Sequence, residues 1–239
     1  MKNETFSLDG IEYNIDKLYE LDYTIQKMSE YLQQYGLEKS IRSQRFIRHL
    51  HLHIAMKLQR ELGINPEDIL FETKLRNKNV DIAVVQQNEV KLAITVRSQS
   101  SSIKANFTNN INSLQGEVVS LKTYYPNAKV GLVYLIKKTD EKGDCEAYLN
   151  ENIPKKLLPL INSSIPTKDR FDTAMIVIWD YDETSEKVKL IENNIFTKVY
   201  NEENFIKDIK NILEEEKINS QFSLKELDKD KIIEFLKSN

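Results

Sequence analysis

Two apolar runs most constrain the fold: KVGLVYLI at 129–136 and TAMIVIWD at 173–180. Neither alternates in the way a half-solvated strand does. Strands apolar at nearly every position are buried on both faces, which requires helices on either side of a sheet. Upstream, ILFETKLR (69–76), VDIAVV (80–85) and NEVKLAITVRS (88–98) alternate or are rich in β-branched residues. Short Asn/Gln/Lys-rich turns separate them, so they read as an antiparallel meander. Between the meander and the first apolar run, Phe107, Ile111, Leu114, Val118, Leu121 and Tyr125 form one stripe of a helix over 106–125, ended by Pro126-Asn127. KVKLIE at 187–192 reads as the hairpin partner of the second run. The order is helix, three strands, helix, strand, strand. It predicts an α/β (α+β) class with a mixed central β-sheet flanked by helices.

Before the meander, Leu18, Leu21, Ile25, Met28 and Leu32 recur at helical spacing, predicting a helix over 15–35 that ends at Gly36. A second helix over 38–62 stops at Gly63, with Ile47, Leu50, Ile54 and Leu58 as its buried stripe. Arg42, Arg45, His49, His53 and Arg60 fall on the opposite face, so the histidines are expected to face solvent or a polyanion. His49 and His53 are spaced i, i+4, yet no acid or cysteine accompanies them to make a zinc site. Residues 137–172 are polar and irregular, with a short helix near 157–161. Two helices are expected after residue 200, the last starting at the capping box Ser223-Leu224-Lys225-Glu226. No Gly/Ser linker divides the 239 residues, which predicts one domain: a helical extension over 1–37, a core over 38–192 and helices over 200–239.

The single cysteine, Cys145, has no internal disulfide partner and reads as a bystander in a polar loop, which fits a reducing cytoplasm. No apolar run reaches the roughly 20 residues of a membrane span, and the first residues lack the apolar core of a signal peptide. Lys+Arg is 34 and Asp+Glu 37, a net charge of −3, which excludes a polybasic tail. The charge is unevenly placed, however. Residues 39–60 carry six basic side chains and no acid, and 91–104 is also acid-free. A local positive field matters more to a polyanion than the sum does. A solvated helix face is the alternative.

Asp81 opens the second strand of the meander, while Thr95 and Arg97 share one face of the third because strand side chains alternate. A hairpin brings Asp81 beside them, and the helix over 106–125 sets Glu117 on the edge of its buried stripe. Arg97 is a charge on an otherwise apolar strand and needs a partner, for which Asp81 or a phosphate is expected. There is no GxGxxG, GxxxxGK or GxSxG.

At these residues the chain resembles the PD-(D/E)xK nuclease superfamily, the restriction-endonuclease-like fold. The resemblance lies in the element order and in VDIAVVQQNEVKLAITVRSQ; Asn106-Phe107 and SLQGEVVSLKTYYP also look like type II restriction enzymes. Asp81 matches the first motif aspartate, and Ser98-Gln99 the frequent Ser-Gln. Three positions depart: Val80 stands for proline, Thr95 for the second acid and Arg97 for lysine. The resemblance implies a DNA endonuclease in which two carboxylates hold Mg²⁺ and lysine positions or deprotonates the attacking water. A threonine hydroxyl is a poor ligand for a hard cation. An arginine stays protonated and cannot act as base, though it clamps phosphate well.

The expectation is therefore a restriction-endonuclease-like DNA-binding protein, cytoplasmic, with an impaired or inactive metal site. Two alternatives stand beside it: an active Mg-dependent enzyme with Asp81 and Glu117 as ligands, and a non-catalytic protein-interaction module. DNA contacts are expected from Arg42, Arg45, Gln99, Lys104 and Asn106, through Ser/Asn/Lys groups and a helix N-terminus. A homodimer or a restriction-system partner subunit follows by analogy only.

Overall fold

The computed structural model describes residues 4–76, 78–161, 165–215 and 228–238. In chain order the elements are β1 (Thr5–Leu8), β2 (Ile11–Asn14), α1 (Leu21–Tyr35), α2 (Leu37–Ile41), α3 (Gln44–Leu62), β3 (Ile69–Leu75), β4 (Lys78–Gln86), β5 (Glu89–Gln99) and α4 (Ile103–Tyr124). There follow β6 (Lys129–Lys137), β7 (Thr139–Asp140), β8 (Gly143–Asp144), α5 (Glu146–Asn152), β9 (Thr173–Asp182), β10 (Lys187–Leu190), α6 (Ile195–Val199), α7 (Glu202–Glu215) and α8 (Lys229–Lys237). Backbone contacts group the chain into two compact units. Among the described residues, one holds 4–69, 181–189 and 228–238; the other holds 70–76, 78–161, 165–180 and 190–215. Each is assembled from separated stretches of chain, so no linker composition marks a boundary.

The first unit departs most from the periodicity. Residues 5–14 form an antiparallel hairpin turned by Asp9-Gly10, both at positive φ, the backbone such two-residue turns require. Phe6, Leu8, Ile11 and Tyr13 are its buried positions. The helix expected from residue 15 begins at Leu21, after a single 3₁₀ turn. The helix expected over 38–62 breaks at Arg42-Ser43, where Ser43 caps α3 by accepting from the Arg45 N–H at 3.2 Å. It ends as expected, with Gly63 in the left-handed region at φ 68°.

The exposed basic face of α3 is not found. Arg48, His49, His51 and His53 are all at most 2% exposed. His49 lies 3.0 Å from the Tyr13 hydroxyl and 2.8 Å from the Arg45 carbonyl. Its pKa is pushed down to about 4, chiefly by burial. Arg48 donates to the Ser238 carbonyl and stacks over Phe235. Arg48 and the three histidines are thus packed under β1–β2, α1 and α8 rather than solvated. The capping box at 223–226 lies outside the described residues; Asp228 caps α8 by accepting from the Asp230 N–H at 3.0 Å.

The second unit is built on the mixed sheet, in which β9-β6-β5-β4-β3 lie side by side in that order. β4 and β5 pair antiparallel through Gln87-Asn88, both at positive φ. β5 and β6 pair parallel, from Leu92↔Lys129 to Gln99↔Ile136, and β6 and β9 likewise. Parallel neighbours need a crossover. α4 supplies the first, and residues 138–172 the second, with α5 and a run of tight turns where one short helix was expected. Phe107, Leu114, Val118 and Leu121 of α4 share a core with Leu132, Tyr134 and Ile136 of β6. Cys145 belongs to that core and is fully buried, not a loop bystander.

A candidate carboxylate–arginine site on the central sheet

Asp81, Thr95, Arg97 and Glu117 meet on the sheet. Thr95 and Arg97 point to the same side of β5, towards α4, and Glu117 comes down from α4 between them. Its Oε1 accepts from the Thr95 hydroxyl at 2.8 Å, and its Oε2 lies 2.9 Å from Arg97 Nη2. The carboxylate is nearly buried, its side chain 11% exposed, whereas the guanidinium is 38% exposed. The partner expected for Arg97 is Asp81 or a phosphate; Glu117 takes the role of its internal partner because packing of the α4 stripe sets it over the strand. Arg97 Nε is buried without a hydrogen-bond partner.

Asp81 is held from the other direction. Its Oδ2 accepts from the Val96 backbone N–H at 2.7 Å, across the β4–β5 hairpin. Burial pushes its pKa up to about 6; the neighbouring Glu117 and Glu72 carboxylates add to this, while the Val96 N–H and Arg97 oppose it. Glu72 sits on β3 at a positive φ of 41°, strained for a residue with a Cβ. Three carboxylates thus share one field with a single guanidinium. A titratable group displaced by burial and by like charge marks a candidate functional site.

The donor set does not suit a Mg²⁺ ion as arranged. A hard cation needs free carboxylate oxygens. Both Glu117 oxygens are already engaged by donors, one of them a cation, and the Thr95 hydroxyl is spent as a donor to the same group. Among the described residues no cluster of three His, Cys, Asp or Glu side chains is placed to hold a metal.

The residues expected at a DNA surface differ in exposure. Gln99 is 3% exposed; it donates to the Ile103 carbonyl at 3.2 Å and accepts from the Tyr134 hydroxyl at 2.5 Å. It fastens β5 to α4 and β6 and is not a contact residue. Lys104 and Asn106 are exposed on the first turn of α4. The N-terminus of that helix, expected to meet phosphate, is taken by carboxylates of the β7–β8 hairpin. Asp140 accepts from the Ile103 N–H at 2.8 Å, and Glu141 from the Ser102 N–H at 3.0 Å and hydroxyl at 2.6 Å. The Ser102 hydroxyl, then its N–H, pull the Glu141 pKa down to about 2. Arg42 and Arg45 belong to the other unit. Arg42 is exposed beside Glu38 at 3.0 Å, and Arg45 is paired with Asp9 at 2.5 Å. Glu89, at the β4–β5 turn, is exposed and paired with Lys91.

The capping by Asp140 and Glu141 and the Val96 N–H were not anticipated. No local pattern signals them, since each joins segments distant in sequence. No helix among the described residues is long and apolar enough to cross a membrane. No protein-family model, no curated protein and no solved structure matches this chain.

Proposed function

We propose that the chain is a restriction-endonuclease-like DNA-binding protein whose metal site has become an internal ion pair. The observation that carries this reading is the occupation of both Glu117 oxygens by Thr95 and Arg97. Of the three positions that depart from the nuclease motif, two, Thr95 and Arg97, are the ones that engage the remaining acid. Further support comes from the order β3-β4-β5-β6, antiparallel then parallel, with α4 as crossover. In this reading Arg97 and Lys104 meet phosphates, and Asp81 and Glu117 keep the strand ends in place instead of holding Mg²⁺.

Linear plasmid incubated with Mg²⁺ or Mn²⁺ tests the catalytic half. No cleavage is expected; cleavage lost in Asp81→Ala would restore the active alternative, with Asp81 and Glu117 as ligands. A mobility shift titrated against salt tests the binding half. Affinity should fall steeply as salt rises, because each neutralised phosphate releases counterions. The internal pairing of Arg45 and burial of Arg48 favour a second reading, a protein-interaction module in which DNA has no part. Absence of any shift at low salt would select it.

A further inference from the structure

The buried histidines of α3 have no part in the nuclease-like reading, and His49 has the most defined chemistry among them. Its Nδ1 lies 2.8 Å from the Arg45 carbonyl oxygen. A carbonyl cannot donate, so Nδ1 carries the ring hydrogen. Nε2 is then a bare acceptor, and the Tyr13 hydroxyl donates to it at 3.0 Å. Tyr13 stands on β2, so this bond ties the β1–β2 hairpin to α3. The Tyr13 ring is stacked between partners, its centroid 5.8 Å from His49 and 4.9 Å from Phe6.

A proton added at Nε2 turns that acceptor into a donor, and the Tyr13 hydroxyl must then aim its hydrogen elsewhere. The surroundings do not favour the new charge. From α1, Lys27 and Glu30 act on the ring in opposite senses and are paired with each other at 2.8 Å. From the hairpin and α3, Asp9 and Arg45 are paired at 2.5 Å. Each of these carboxylates already has its cation. α8 contributes the apolar Leu236. Tyr13, Tyr31, Tyr35, Arg45, His49 and Leu236 line a cavity of about 10 Å³. That is room for about one water, not for an anion to accompany a charged ring.

We infer that the Tyr13–His49 contact is an acid-sensitive catch that holds the β1–β2 hairpin on α3. The docked ring is held at about 4 and the released ring returns to 6.5. Between those values the released state binds the extra proton, so falling pH favours release. The hairpin is the element that yields, because two strands of four residues each have little stability of their own. Protonation of a buried histidine at a packed face is a known way to bias such an element. The inference stands apart from the nuclease-like reading, since it uses only residues of the first unit.

Amide exchange of the full chain tests it, expressed as protection factors so that the intrinsic pH dependence of exchange cancels. Linkage predicts about a thirtyfold loss of protection in the hairpin between about pH 7.5 and pH 5. Amides of the central sheet, such as Leu132 and Ile176, should keep theirs. His49→Gln can accept from the Tyr13 hydroxyl but cannot take up a proton, so it should abolish the pH dependence of the hairpin. The parent protein supplies a second measurement that needs no variant. Its His49 ring nitrogens, followed by NMR, should show the Nδ1–H tautomer at neutral pH and a midpoint below the ordinary 6.5. Five results would overturn the inference: hairpin protection unchanged by acid, an equal loss in the central sheet, a pH dependence retained in His49→Gln, the Nε2–H tautomer, or a His49 midpoint at or above 6.5.

Discussion

Asp81→Asn separates a group held for charge from one held for shape. Asp81 keeps its proton in the native protein up to about pH 6, against 3.8 in the unfolded chain. Between those values the native state binds the extra proton, so this group's contribution to stability falls as pH rises. The loss is complete about one pH unit above 6. The displacement of about two pH units corresponds to about 3 kcal/mol at 1.4 kcal/mol each. Asparagine keeps an oxygen to accept the Val96 N–H but cannot ionise. As a stand-in for the protonated carboxyl, the amide costs up to about 1 kcal/mol of hydrogen bonding at every pH. Asp81→Asn should therefore be slightly less stable than the parent near pH 4 and about 2 kcal/mol more stable at pH 7.5. In a chain of this size that is roughly 4–8 °C in Tm. Urea unfolding of both proteins at half-unit steps from pH 4 to 8 measures it, and the difference between the two curves cancels all other titrating groups. A difference that stays constant across this range would show that burial and like charge do not govern Asp81.

Other substitutions probe the same unit. Arg97→Met should cost about 1–2 kcal/mol, less than a fully buried pair because the arginine side chain is 38% exposed. Combined with Glu117→Gln, the loss should be at least about 0.5 kcal/mol smaller than the sum, read from a double-mutant cycle in urea. Gly131→Ala places a Cβ 3.3 Å from the Phe205 ring and 3.4 Å from Ile94, so a thermal melt should show a loss of about 1–3 kcal/mol. In the first unit, Ser29 accepts from the Val188 N–H at 2.9 Å and donates to the Ile25 carbonyl at 2.9 Å. Ser29→Ala should cost about 1–3 kcal/mol in the same assay.

The sheet and α4 were legible because their signals are local. Apolar continuity in 129–136 and the stripe from Phe107 to Leu121 report burial directly. The first unit was less so. Its hairpin strands are four residues long, each with only two buried positions, too few for a period to emerge beside the helical run that follows. Polarity placed His49 and His53 on a solvated face; what covers them is the hairpin, α1 and α8, which no spacing within α3 can announce. Gln99 misled in the same way, a polar side chain whose partners, Ile103 and Tyr134, are supplied by tertiary packing. At the site, the meeting of Asp81, Thr95, Arg97 and Glu117 followed from strand alternation and the helix stripe. The choice of Glu117 over Asp81 as the arginine's partner depends on the rotation of α4, set by core packing across the whole helix.

The pairing of α3 with α8 joins Arg48 to Ser238, 190 residues apart. Synthesis runs from one to the other, so the ribosome makes every strand of the central sheet before the residues that close over α3 emerge. Until then the face of α3 that meets Phe235 stands open to water. α3 is thus sealed on this side only after the sheet has been made, and until α8 closes over it the helix presents Arg48 and His51 to water.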